Sequence, residues 1–147
     1  VHPLLDSLDM DGDTLVVRRS LSLASDGWIR DHAIDGKPVL PGVIGLELMA
    51  AAAMLVAPGH RYAGARNVQY MAPVKLHGDS PTDVIVRATL VEGGVHTSLS
   101  SSRATRTGRG IETDHFSAEI DWHIDAPSPL PPMGIIKNDF IFCAIDI

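Results

Sequence analysis

Residues 28–56 read WIRDHAIDGKPVLPGVIGLELMAAAAMLV, a polar loop carrying His32 that passes through Leu40-Pro41-Gly42 into a long apolar run. Proline at or just before a first helical turn costs no hydrogen bond, because that amide has no intrahelical partner anyway. From Val43 to Val56 the residues are mostly strong helix formers, and the run is longer than an ordinary strand, so it predicts a helix. It is too short to span a bilayer. Glu47 is its single charge, and a buried carboxylate without a partner is expensive. A helix apolar on nearly every face must be wrapped by other structure. The reading is therefore one central helix inside a curved sheet, with a histidine in the loop that precedes it.

The flanking sequence supplies the sheet. Leu15, Val17, Leu21 and Leu23 alternate with Val16, Arg18, Ser20 and Ser22, as in a strand with one buried face. Before them, Asp9-Met10-Asp11-Gly12-Asp13 resembles a calcium loop, but the twelfth position from Asp9 is Ser20 instead of the closing Glu, so a glycine-containing turn is expected. Ala57-Pro58-Gly59 ends the helix. Residues 65–72 read as extended, with Pro73 at a bulge or edge because it cannot donate to a ladder. Val84–Glu92 alternates, Gly93-Gly94 marks a hairpin, Val95–Thr105 is a serine-rich partner strand and Ile111–Ile124 a last long one. Arg103, Arg106 and Arg109 read as a solvated hairpin end, the alternative being a docking patch for an acidic carrier protein. Residues 126–132, APSPLPP, form a proline-rich linker before an apolar tail that ends in FIFCAIDI.

Composition bounds the function. The chain of 147 residues is one domain's worth, and its 45% apolar content with only 5% aromatics calls for an aliphatic core. A net charge of -6 and a pI near 5.5, with no basic stripe, argue against nucleic acid as the main partner. Cys143 is the one cysteine, so no internal disulfide or cysteine-based metal cluster forms, and a reducing, cytoplasmic location is expected. The seven histidines are scattered, and no metal site is evident among them. A first residue of Val instead of Met suggests a processed protein or a domain cut from a longer one.

His32, Gly36 and Pro41 stand in the pattern His-x-x-x-Gly-x-x-x-x-Pro, followed by Gly42. With Trp28 and Asp31 ahead of it, and His2-Pro3-Leu4-Leu5 at the start, this pattern resembles the dehydratase domains of polyketide synthases and polyunsaturated-fatty-acid synthases. A weaker likeness runs on through residues 66–73 to about Asp125. The resemblance implies an α+β hotdog fold, one long helix wrapped by a curved antiparallel sheet. It implies a dehydratase acting on 3-hydroxyacyl thioesters held on the phosphopantetheine arm of an acyl carrier protein, with no cofactor of its own. Residues 1–125 would then be the first hotdog of a double hotdog, and residues 126–147 would lead toward the second.

Dehydration needs a base for the proton alpha to the thioester carbonyl, an acid for the departing hydroxyl, and donors for the carbonyl oxygen. A histidine suits the first task near neutral pH. Backbone amides at a helix amino terminus suit the third. The resemblance thus implies His32 as base, the Gly42 amide as carbonyl donor with Pro41 beside it, and Gly36 shaping the loop. The acid is expected on the helix of a second hotdog. Single-hotdog dehydratases instead carry an acidic residue five positions after their Pro-Gly glycine, where Glu47 stands here. Glu47 could then face His32 of a second copy across a two-fold, although such enzymes have one residue fewer between the His and the Pro-Gly pair. A hotdog thioesterase, or a non-catalytic acyl-binding module, are the readings from other classes.

Overall fold

A computed structural model describes residues 4–78, 80–104 and 107–123 of the chain. His2 and Pro3 of the opening signature, Arg106, Cys143 and the linker and tail at 126–147 lie outside the described residues. Six strands form one antiparallel sheet in the order β1-β2-β6-β7-β8-β5. They are β1 (Ser7–Asp11), β2 (Thr14–Leu21), β5 (Arg61–Tyr70), β6 (Thr82–Val91), β7 (Gly94–Ala104) and β8 (Gly110–His123). Between β2 and β5 come a 3-10 turn (Gly27–Asp31), a two-residue hairpin of β3 (Ala33–Ile34) with β4 (Lys37–Pro38), and the single helix α1 (Gly42–Val56). Among the described residues no helix is long and apolar enough to cross a membrane.

Burial, and not capping, holds α1 in place. Pro41 occupies its N-cap position and offers no side-chain acceptor. Leu46, Leu48, Met49, Ala52 and Ala53 instead pack into a core with Val17, Val84, Val86, Val95, Leu99, Phe116 and Ile120 of the sheet. Each large aliphatic side chain so buried contributes about 1.5–3 kcal/mol. The helix ends where Ala57 N–H reaches the Ala53 carbonyl at 3.1 Å and Gly59 turns the chain with φ +84°. This is the hotdog arrangement expected, with one difference. The sheet covers only one side of the helix, and Val43 and Met54 on the other side are each 57% exposed among the described residues.

Two buried hydroxyls of β7 are satisfied without disturbing that core. Thr97 donates to the Ala118 carbonyl at 2.8 Å, and the Ser101 hydroxyl lies 2.7 Å from His115 Nε2. Buried hydroxyls need such partners. Two boundaries differ from the sequence reading. Asp9, Met10 and Asp11 belong to β1, paired with Val16, Leu15 and Thr14, so the turn is only Gly12-Asp13. Val16 is buried although the alternation puts it on the polar face of β2. β5 begins at Arg61 and breaks register twice, and Asn67 within it has φ +51°.

Candidate active site at the amino end of the central helix

His32 follows the 3-10 turn, whose Ile29 is fully buried and anchors it. The His32 amide donates to the Ile29 carbonyl at 3.1 Å, and the Val39 amide donates to the His32 carbonyl at 2.9 Å. The imidazole Nδ1 lies 3.0 Å from the Val39 carbonyl oxygen. A carbonyl can only accept, so Nδ1 carries the hydrogen in this bond, and the neutral ring keeps the Nε2 lone pair free. The β3–β4 hairpin that makes this clasp possible turns through Asp35 and Gly36, both at positive φ (50° and 71°). Two successive left-handed residues are the signature of a tight primed turn, which glycine permits at least cost. Gly36 therefore closes the turn of this hairpin.

Val39 stands three residues before Gly42, where α1 begins, so the clasp ties the imidazole to the segment that leads into the helix. Pro41 O accepts the amides of Ile44 at 3.0 Å and Gly45 at 3.1 Å. The amides of Gly42 and Val43 have no acceptor among the described residues. They carry the partial positive charge of the helix end. Pro41 and Gly42 stand at the helix start, Gly36 lies in the hairpin turn, and the His32 imidazole, exposed on this chain, is tied to the segment that runs between them.

Glu47 lies five residues on from Gly42, about 7.5 Å along the axis. It is partly exposed on the side away from the sheet, in line with Val43, Ala50 and Met54. No hydrogen bond or ion pair joins it to His32 or to any other described residue.

Two residues missed in the sequence, Tyr70 and Phe116, pack against this end of the helix. A Cβ on Gly42 would meet Tyr70 Cε1 at 2.8 Å, and one on Gly45 would meet Phe116 Cε2 at 2.3 Å. The two rings stack edge to face with centroids 5.1 Å apart. Gly42 therefore makes room for an aromatic ring. Gly42 and Gly45 are one turn apart, and that spacing was the available signal. Nothing local tied it to Tyr70 or Phe116.

Two other features lie apart from this site. Arg103 Nη1 sits 3.3 Å from His77 Nε2. Partial burial, and then Arg103, Lys37 and Lys75 nearby, hold the His77 imidazole below the usual histidine value. A shallow cleft lined by Ala53, Met54, Ala57, His60, Tyr62 and Trp122 lies at the carboxyl end of α1, away from His32.

Comparison with known proteins gives three results. Residues 2–102 match the family model described as polyketide synthase dehydratase domain. A curated relative, the polyketide synthase GfsB of Streptomyces halstedii, is 45% identical over 56 residues, which is 37% of this chain and 1% of that protein. Among solved structures, the dehydratase domain from the CurF module of curacin polyketide synthase superposes with a TM-score of 0.73 at 16% identity, over 87% of this chain and 46% of that one. The dehydratase domain of the polyketide PpsC from Mycobacterium tuberculosis gives 0.67 at 22% identity, over 86% and 46%. The chain thus spans less than half the length of these structures and a small fraction of the curated relative. The structural likenesses establish the hotdog fold.

Proposed function

The chain belongs to the polyketide synthase dehydratase domain family, and from that premise we propose that it is the base-bearing hotdog of a dehydratase acting on 3-hydroxyacyl thioesters. In this reading the substrate arrives on the phosphopantetheine arm of an acyl carrier protein. The carbonyl oxygen settles at the amides of Gly42 and Val43, which stabilise charge as it builds there. His32 Nε2 takes the alpha proton, the Cα–Cβ double bond forms, and the Cβ–O bond breaks. The departing hydroxyl takes a proton from an acid on a second hotdog and leaves as water.

The observation that carries this reading is the bond from His32 Nδ1 to the Val39 carbonyl at 3.0 Å. It leaves Nε2 unencumbered on the segment that leads into a helix whose first amides have no acceptor among the described residues. The test joins the chain to its second hotdog and follows enoyl absorbance from a 3-hydroxyacyl thioester on a carrier protein. His32→Ala is expected to lower kcat by about 10²–10⁴-fold, the usual contribution of a general base, with the fold unchanged by circular dichroism. Activity that survives this substitution would remove His32 as base. Release of free thiol in place of enoyl product would point to a thioesterase, and no turnover at all to an acyl-binding module.

One observation favours a second reading. Glu47 is directed away from the sheet without a partner among the described residues. In a homodimer it would be available to a second copy's His32 as the acid. Glu47→Gln abolishes turnover in that arrangement and leaves it nearly unchanged when the acid comes from a different hotdog.

A further inference from the structure

His115, on β8, is a buried histidine that the proposed chemistry does not use; it is 5% exposed. Its Nδ1 lies 3.0 Å from the Ala72 carbonyl oxygen and its Nε2 lies 2.7 Å from the Ser101 hydroxyl. Since the carbonyl can only accept, Nδ1–H donates to Ala72, and Nε2 of the neutral ring accepts from Ser101. The backbone of the same residue adds two bonds, its carbonyl accepting the amides of Met71 at 2.8 Å and Ala72 at 3.4 Å. Side chain and main chain of His115 therefore both grip the start of the connection from β5 to β6.

That connection fixes the segment that clasps His32. Two residues past Ala72, the Val74 carbonyl accepts the Leu40 amide at 2.9 Å, and the Leu76 amide donates to the Pro38 carbonyl at 2.9 Å. Val39 and Lys75 are the bridge partners between these bonds. In an extended strand successive residues turn their backbone groups to opposite sides. With Pro38 and Leu40 committed to the 74–76 segment, Val39 must present its N–H and C=O the other way. There both meet His32, the amide donating to its carbonyl at 2.9 Å and the carbonyl accepting from Nδ1 at 3.0 Å. We propose that His115 is a positioning residue for His32. It latches residues 71–76 so that the Val39 carbonyl is aimed at Nδ1 and the His32 ring is held in its Nδ1–H tautomer. The latch follows from hydrogen bonds in this chain alone; its importance for turnover rests on His32 being the base.

The test separates these two statements. In the nitrogen-15-labelled chain, ring nitrogen shifts report the His32 tautomer directly. The wild type is expected to show Nδ1–H. His115→Ala, which frees the Ala72 carbonyl, moves His32 mainly to the Nε2–H form that free histidine favours in water. His115→Gln, able to donate and accept in the same space, keeps the Nδ1–H form. Ser101→Ala, which removes one partner from the buried ring, gives a mixture and decides the matter should His115→Ala fail to fold. A folded His115→Ala or Ser101→Ala chain with His32 still wholly Nδ1–H overturns the latch, and so does a wild type lacking that tautomer. In the assembled dehydratase His115→Ala lowers kcat about tenfold or more with KM unchanged, a part of what the base supplies. A shifted tautomer with unchanged kcat would keep the latch and overturn His32 as base.

Discussion

Gly45 has no room for a side chain. A methyl there would sit 2.3 Å from Phe116 Cε2, and Phe116 is buried between helix and sheet. Overpacking a closed core costs about 1–3 kcal/mol, so Gly45→Ala should lower the melting temperature by several degrees. Gly42 has a different neighbour. Its added methyl would meet Tyr70 Cε1 at 2.8 Å, but Tyr70 is 53% exposed and can swing outward. Gly42→Ala is therefore expected to cost little stability while impairing turnover, the reverse of the pattern at Gly45. Thermal unfolding of both variants beside an enoyl-formation assay checks the contrast. Equal stability losses at the two positions would mean that the ring over Gly42 is as confined as the one over Gly45.

At the level of elements, the site is held by connections more than by regular structure. The turn from β2 to the 3-10 segment is organised by the Asp26 carboxylate, which accepts from Arg19 Nη2 at 2.7 Å, Ser22 N at 3.1 Å and Ser25 Oγ at 2.8 Å. Burial pushes its pKa up, yet the donors from Ser25, Ser22 and Arg19 outweigh that and hold it below the ordinary aspartate value. The sign follows from linkage. The folded chain binds this proton less readily than the unfolded one, so the stabilisation is complete above the unfolded value. It fades as pH falls through the lower folded value, on the acid side of about pH 4. Asp26→Asn should cost about 1–3 kcal/mol at neutral pH and flatten the acid limb of the stability profile. Urea titrations at pH 7 and pH 3 measure both effects. A variant as acid-sensitive as the wild type would assign that limb to other carboxylates, among them Glu112, which Arg87 and then Ser100 hold low.

For the whole molecule the decisive feature is what the sheet leaves uncovered. Val43, Met54 and Leu55 form an apolar stripe on the outer side of α1, interrupted by Glu47, and Tyr70 and Met71 are exposed at the end of edge strand β5. Exposed apolar patches and unpaired strand edges favour association. The isolated chain is therefore expected to self-associate, or to bind a hydrophobic dye, at micromolar concentration. Met54→Lys, placed on the stripe and away from His32, should shift it toward monomer in light scattering while preserving its circular dichroism. Should the unmodified chain stay monomeric and dye-free, this face would need no second hotdog.

The sequence by itself determined the helix, read as Val43–Val56 and found at Gly42–Val56. It also determined the three long strands that follow β5. These depend on side-chain periodicity, on turn chemistry at Gly93, where φ is +77°, and on residues close in the chain, all of which are local. Tertiary structure decided the rest. The bulges of β5, the burial of Val16, the aromatic rings over Gly42 and Gly45, and the grip of His115 on Ala72 all join residues far apart in sequence. Which side chain meets which across a sheet is set by register and by the path of the crossing segment. No local pattern encodes either one, because both are chosen by the packing of the complete core.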